Sequence, residues 1–285
     1  MAAEADADNG APETGSNFYM GFLLLPKRKR EALRAVYGFC RHVDDIVDSG
    51  EHSRGEAERR LEFWRAEIER LFEGGPTHEV SRRVLPFLEE FRLPKEGFLE
   101  LVRGVAMDLE RSRYETFADL EKYLFGVAGA VGLLCVEIFG YRETPPSEIR
   151  EYAVAMGNAF QLTNIMRDVG ADLERGRIYL PLRDMREAGY SAEAFVRREH
   201  TPAFRALMNL EYKRAKSFYR KARNLLRPAD RPAMLSAEVM AHIYEALLEE
   251  MKRQDYRVFF RRVRLPLWRK VALAAKAWAA TRGIY

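Results

Sequence analysis

The sequence predicts an all-α fold, a single-domain helical bundle built around a central apolar cavity. Three observations predict it. Apolar residues recur at helical spacing along nearly the whole chain. The alternation of apolar and polar residues that marks a half-buried strand is essentially absent. Breakers at Pro26, Gly50, Gly74-Gly75-Pro76, Pro94, Gly140, Pro145-Pro146, Gly176, Pro181, Gly189, Pro202, Pro228, Pro232 and Pro266 divide the chain. They leave room for roughly ten helices.

Residues 1–15 are acidic and rich in small residues, with no basic n-region and no apolar h-region. They are expected to form a disordered tail and not a signal peptide. Residues 16–285 are expected to form one domain, since no linker interrupts them. From about Arg28 to Val47 the chain is apolar nearly all round, with Ala32, Leu33, Val36, Tyr37, Phe39, Cys40, Val43 and Ile46. Ala57, Leu61, Trp64, Ile68 and Leu71 form a cleanly amphipathic stripe, and Phe98, Leu101, Val102, Val105, Ala106 and Leu109 form another. Tyr152 to Val169 is again apolar on most faces. Helices of that kind belong in the middle of a bundle, so polar groups on them point into a cavity.

Bulk composition narrows the function classes. Two cysteines, Cys40 and Cys135, argue against a disulfide framework and fit a reducing cytoplasm. The apolar stretches near Val127–Phe139 and Val271–Ala280 are short and interrupted by Glu137 and Lys276. No membrane-spanning helix is expected from them. The net charge of +4 is unevenly spread: Lys252 to Lys270 holds eight Lys/Arg and one acid, Asp255, among Phe259, Phe260 and Trp268. Beside a solvated face, that pattern fits an arginine for a diphosphate or peripheral contact with an anionic membrane surface. No nucleic-acid partner is expected, because no recognition motif accompanies the charge. The expected location is cytoplasmic, with membrane-peripheral attachment as a variant of it.

Two acidic clusters carry the chemistry. The first is Arg41-His42-Val43-Asp44-Asp45-Ile46-Val47-Asp48. The second runs from Gln161 through Asn164, Arg167 and Asp168 to Asp172. Asp44 and Asp48 are four residues apart, and so are Asn164, Asp168 and Asp172. That spacing stacks the side chains on one helix face. On core-type helices such groups are costly to bury unless paired or bound to metal. Two facing helices so decorated could hold two or three Mg²⁺ ions, with Mn²⁺ as a substitute, over a phosphate-bearing substrate. An allylic diphosphate needs such help, because its leaving group carries several negative charges. The carbocation left behind requires a dry, aromatic-lined cavity, for which Phe18, Phe22, Tyr37 and Phe160 are candidates. Arg41 and Arg167 adjoin the acids. They are either intrahelical ion pairs or, as we favour, bidentate grips on a diphosphate. The five histidines show no ligand spacing. Neither a nucleotide loop nor a nucleophile motif is present, and a nicotinamide site is not readable.

These residues together resemble the squalene/phytoene synthase family over about residues 14–282. The resemblance rests on Ser16-Asn17-Phe18-Tyr19, Tyr37-Gly38-Phe39-Cys40-Arg41 with its acids, and Gln161-Leu162-Thr163-Asn164-Ile165-Met166-Arg167-Asp168. It is completed by Arg175-Gly176-Arg177-Ile178-Tyr179-Leu180-Pro181 and Arg262-Val263-Arg264. It implies an isoprenoid synthase bundle in which residues 16–285 are catalytic. It also implies Mg²⁺ dependence and head-to-head (1′–1) joining of two prenyl diphosphates. Carried over by motif, Asp44, Asp48, Asn164, Asp168 and Asp172 would handle metal. Arg41, Tyr37, Arg167, Tyr244 and Arg262 would contact diphosphate, and Asn17, Phe18, Phe22 and Gln161 the substrate.

The stretch Met107 to Phe117, with Glu137-Ile138-Phe139-Gly140-Tyr141, looks most like bacterial presqualene diphosphate synthases of hopanoid pathways. Farnesyl diphosphate is therefore the expected substrate. Geranylgeranyl diphosphate and phytoene, on a carotenoid route, are the alternative. Gly126 stands where eukaryotic squalene synthases carry a tyrosine credited with catalysis, and NADPH is not expected. A class I terpene cyclase and a non-catalytic assembly factor of the same family are weaker readings. The Arg175–Tyr179 run counts against the first, and the full set of acids against the second. The Asp-Leu-Glu-Arg run occurs at both Asp108 and Asp172, which reads as coincidence.

Overall fold

The structure, a computed structural model, describes residue 21 and residues 24–283. The expected tail at residues 1–15, and Asn17, Phe18 and Phe22, lie outside the described residues. Among the described residues there are twelve α-helices, a few more than expected, and no strand. They are α1 (Lys27–Asp48), α2 (Arg54–Phe72), α3 (Glu79–Leu88), α4 (Lys95–Glu110), α5 (Phe117–Leu124) and α6 (Ala130–Phe139). There follow α7 (Pro146–Glu174), α8 (Leu182–Glu187), α9 (Ala192–Val196), α10 (Pro202–Leu225), α11 (Leu235–Arg253) and α12 (Leu267–Thr281). The breakers act through ordinary stereochemistry. Pro26, Pro94, Pro145, Pro181 and Pro266 precede helices, and Pro146 and Pro202 occupy first turns, where the missing N–H costs nothing. Gly50, Gly74, Gly140, Gly176 and Gly189 take the left-handed backbone that ends or follows helices.

One apolar core joins these elements. The 29-residue α7 is its axis and packs on α10, α6 and α11. Most of its first 25 residues are buried, as the all-round apolar sequence requires. α1 packs on α3, α4 and α6. Between α5 and α6 the helix widens into one π-turn, Phe125–Gly129, which packs on α4 and α7. Such turns are frequent at functional sites. The helices approach here nearly backbone to backbone: a Cβ on Gly157 would lie 2.4 Å from the Ala128 carbonyl oxygen. A Cβ on Gly126 would lie 2.6 Å from the Gly104 Cα, so this backbone admits no tyrosine at position 126.

One expectation is corrected. α5, the π-turn and α6 form an unbroken run, Phe117–Phe139, of 23 residues that is long and apolar enough to cross a membrane by length and composition. The interruption at Glu137 does not disqualify it. More than half of its apolar window is buried inside the protein, the environment of a core helix.

Candidate active site

α1 and α7 run in the same sense along a cavity of about 980 Å³. Each presents one stripe to it, and each stripe changes character along its length. On α1, Leu33, Val36 and Cys40 give way to Arg41, Asp44, Asp45 and Asp48. On α7, Tyr152, Ala153, Met156, Gly157 and Phe160 give way to Gln161, Asn164, Asp168 and Asp172. At 1.5 Å per residue, Tyr152 to Asp172 spans about 30 Å. The opposite wall comes from Val127, Val131, Cys135 and Phe139, and the far end from Ala237 and Met240. The result is an apolar channel with one charged end.

The charged end is electrostatically incomplete. Asp44, Asp45 and Asp48 lie in the last turn of α1, and Asp172 in the last turn of α7, where the helix dipole is itself negative. Burial, and then the neighbouring Asp48, push the Asp44 carboxyl up to about 7. Burial, and then Asp168, push Asp172 up to about 7 as well. Asp168 differs. Burial works against its ionised form, but Arg167 at 2.6 and 2.8 Å and Arg262 at 2.7 and 2.9 Å hold its carboxyl below the ordinary value. The Asn164 side-chain oxygen is buried without a hydrogen-bond partner, although its amide donates to Gln161 at 3.4 Å. An orphaned oxygen on the same helix face as Asp168 and Asp172, at an end of the cavity where Asp44 and Asp172 resist ionisation, is what a divalent cation would satisfy. Among the described residues no three acidic, His or Cys side chains are drawn together into a ready-made metal site. Arginines occupy Asp48 and Asp168 instead.

Arg41 makes an intrahelical pair with Asp45 at 2.9 Å and stands 3.9 Å from Asp44. It and Tyr37 both face the cavity. Tyr244 is not on the cavity wall. Its buried ring lies 5.0 Å from that of Phe160, and its hydroxyl meets Arg167. It therefore positions Arg167. Arg262, 94 residues from Asp168 in sequence, reaches the cavity from the segment before α12.

A second acid group was not foreseen as such. Asp108, at the C-terminal end of α4, accepts hydrogen bonds from Tyr179 at 2.9 Å and Tyr123 at 3.0 Å. Arg177 bridges it, at 3.8 Å, to Asp48 at 2.6 Å. Burial raises the Asp108 carboxyl to about 6, against the pull of Arg177 and the two hydroxyls. Arg175 adds a contact to Asp48 at 3.3 Å. The segment holding Arg177 and Tyr179 is pinned to the end of α4 by Ile178 N–H to the Ser112 carbonyl at 3.0 Å and Leu182 N–H to the Tyr114 carbonyl at 2.9 Å. The repeated Asp-Leu-Glu-Arg was thus the available signal. Both of its aspartates stand at the site, close enough for Asp108 to act on Asp172. The repeat alone could not show this, because it places them on different helices.

The family profile of squalene/phytoene synthases matches residues 11–269. A 15-cis-phytoene synthase from Synechocystis is 36% identical over 270 residues, 92% of this chain and 80% of that protein. A phytoene synthase from Arthrospira platensis is 36% identical over 267 residues, 89% and 85% of the two chains. Among solved structures, a dehydrosqualene synthase in complex with ligand superposes with a TM-score of 0.83 at 30% identity, over 95% of this chain and 93% of that one. The squalene synthase HpnC from Alicyclobacillus acidocaldarius superposes with a TM-score of 0.75 at 31% identity, over 84% and 89%. With the helical bundle, the one-ended channel and the paired acid stripes already in place, these matches make the chain a member of the squalene/phytoene synthase family.

Proposed function

We propose that this protein joins two prenyl diphosphates head to head (1′–1), taking two molecules of farnesyl diphosphate to presqualene diphosphate. The observation that carries the reading is the single charged end on a long apolar channel. A prenyl diphosphate has that same division of character. The cavity volume lies at the top of the range for sites that hold one small molecule, as two chains require.

In this reading Arg41, Arg167 and Arg262 hold diphosphate oxygens through paired N–H donors. Asp44, Asp48, Asn164, Asp168 and Asp172 would hold Mg²⁺. Bound there, it supplies positive charge at the departing diphosphate. As the C1–O bond breaks, its electron pair leaves with the diphosphate. The double bond of the second substrate attacks C1, and the cyclopropane closes as a proton is lost to the departed diphosphate. The walls from Val127 to Phe139 exclude water from the cation, and the faces of Tyr37 and Phe160 stabilise it. No reductant enters this sequence.

A second reading, two geranylgeranyl diphosphates joined on the way to phytoene, is favoured by the names of the relatives that are 36% identical. Purified protein incubated with Mg²⁺ and each substrate separately, with and without NADPH, decides between them. The expected result is a C30 cyclopropyl diphosphate from farnesyl diphosphate with or without NADPH. A C40 product with no C30 product would replace the first reading by the second. No condensed product from either would remove both.

A further inference from the structure

The last helix presents its apolar side to water. Leu267, Trp268, Val271 and Trp278 of α12 are 66%, 70%, 50% and 43% exposed, and Phe260 just before it is 79% exposed. Their spacing by 4 and 7 residues puts Leu267, Val271 and Trp278 on one stripe, with Trp268 at its edge. The adjoining face of α12, with Ala277 and Thr281 buried, packs on α11. Arg269 fixes its start by donating to Glu250 at 3.2 Å. The apolar stripe is therefore held outward on a rigid support. Such a contiguous patch on a protein surface marks an interaction site.

Charge identifies the partner. Residues 256–285 contain eight Lys/Arg and no acid. Arg257, Arg261 and Arg264 are exposed in the segment that leads into α12. A second copy of the chain would bring two such surfaces of the same sign together, which disfavours self-association through this face. Exposed tryptophans and leucine framed by arginine are what a helix lying in the plane of an anionic membrane interface displays. We propose that α12 and the segment 257–266 dock on an anionic lipid bilayer. The same segment carries Arg262 to Asp168, so docking would place the charged mouth of the channel next to the membrane. The inference does not depend on which prenyl chain is used.

The test is sedimentation of the full-length protein with vesicles of phosphatidylcholine containing phosphatidylglycerol, against vesicles of phosphatidylcholine alone. The expected result is binding to the anionic vesicles, weakened by salt, with a blue shift of tryptophan emission. Leu267→Ser/Trp268→Ser/Val271→Ser should reduce it at least about tenfold, and Arg261→Glu/Arg264→Glu by about as much. Trp268→Phe should keep most of it. Unchanged thermal melts show that the variants are folded. Wild-type protein left in the supernatant at low salt overturns the proposal. So does equal binding to uncharged vesicles, or a dimer by light scattering that the triple variant abolishes.

Discussion

Replacing Asp44 by Asn should stabilise the metal-free protein at neutral pH. The Asp44 carboxyl is pushed from 3.8 to about 7. At roughly 1.4 kcal/mol per pH unit a dry site would turn that into about 4 kcal/mol. The Asp44 side chain is 43% exposed, however, and solvent screening reduces the effect to about 1–2 kcal/mol. The native state keeps this proton up to about pH 7, whereas the unfolded chain releases it near pH 4. Native protein therefore binds more protons between those values, and its stability falls as pH rises from about 4 to 7, then levels off. Asn at 44 removes this contribution to the slope and leaves those of Asp108 and Asp172. Melts in EDTA should show wild type and Asp44→Asn nearly equal at pH 4. At pH 8 the variant should be the more stable, by about 2–6 °C for a protein of this size. Mg²⁺ should reverse the order at pH 8, because ligand that binds only the native state stabilises wild type more than a variant lacking one of its acids. An Asp44→Asn protein less stable than wild type at pH 8 without metal would refute the reasoning, and so would a difference independent of pH.

Two further outcomes test other parts of the structure. Gly157→Ala places a methyl group 2.4 Å from the Ala128 carbonyl oxygen, in backbone that cannot move aside cheaply. It should cost about 1–3 kcal/mol by calorimetry, and an unchanged melting temperature would deny the close approach of α7 to the π-turn. Arg177→Ala removes the cation between Asp48 and Asp108. Asp108 should then hold its proton to higher pH, and the acid limb of the pH–rate profile should move up with a loss of activity of about tenfold or more. Arg177→Lys should restore part of both. A lower rate on an unshifted profile would mean that Arg177 acts only by holding the backbone in place.

The acid stripes were legible in the chain because i, i+4 spacing on an apolar helix depends on local geometry alone. Asp44 with Asp48, and Asn164 with Asp168 and Asp172, could be placed on common faces before any packing was known. The helical class was legible for the same reason, as were the helix starts at Pro26, Pro94, Pro145 and Pro266. The stretch Val127–Phe139 was read as too short because a π-turn at Phe125–Gly129 joins it to the preceding helix in one long apolar run, whose burial identifies it as core. Asp108 was passed over because its one local signal, the Asp-Leu-Glu-Arg run shared with Asp172, puts the two acids on different helices and says nothing of their approach. Its significance comes from Tyr123, Tyr179 and Arg177, brought to it from other parts of the chain.

By itself the sequence determined the helical architecture, the family, and the two acid stripes with their adjoining arginines. All of these are written in short-range periodicity and contiguous motifs. The tertiary structure alone decided that the stripes end side by side at the negative ends of two parallel helices. It decided that Arg262 crosses to Asp168, that Tyr244 supports Arg167 from behind the cavity wall, and that α12 turns its apolar stripe outward. Each of these joins residues far apart in the chain. Their pairing is set by how whole helices pack, and no local spacing encodes it.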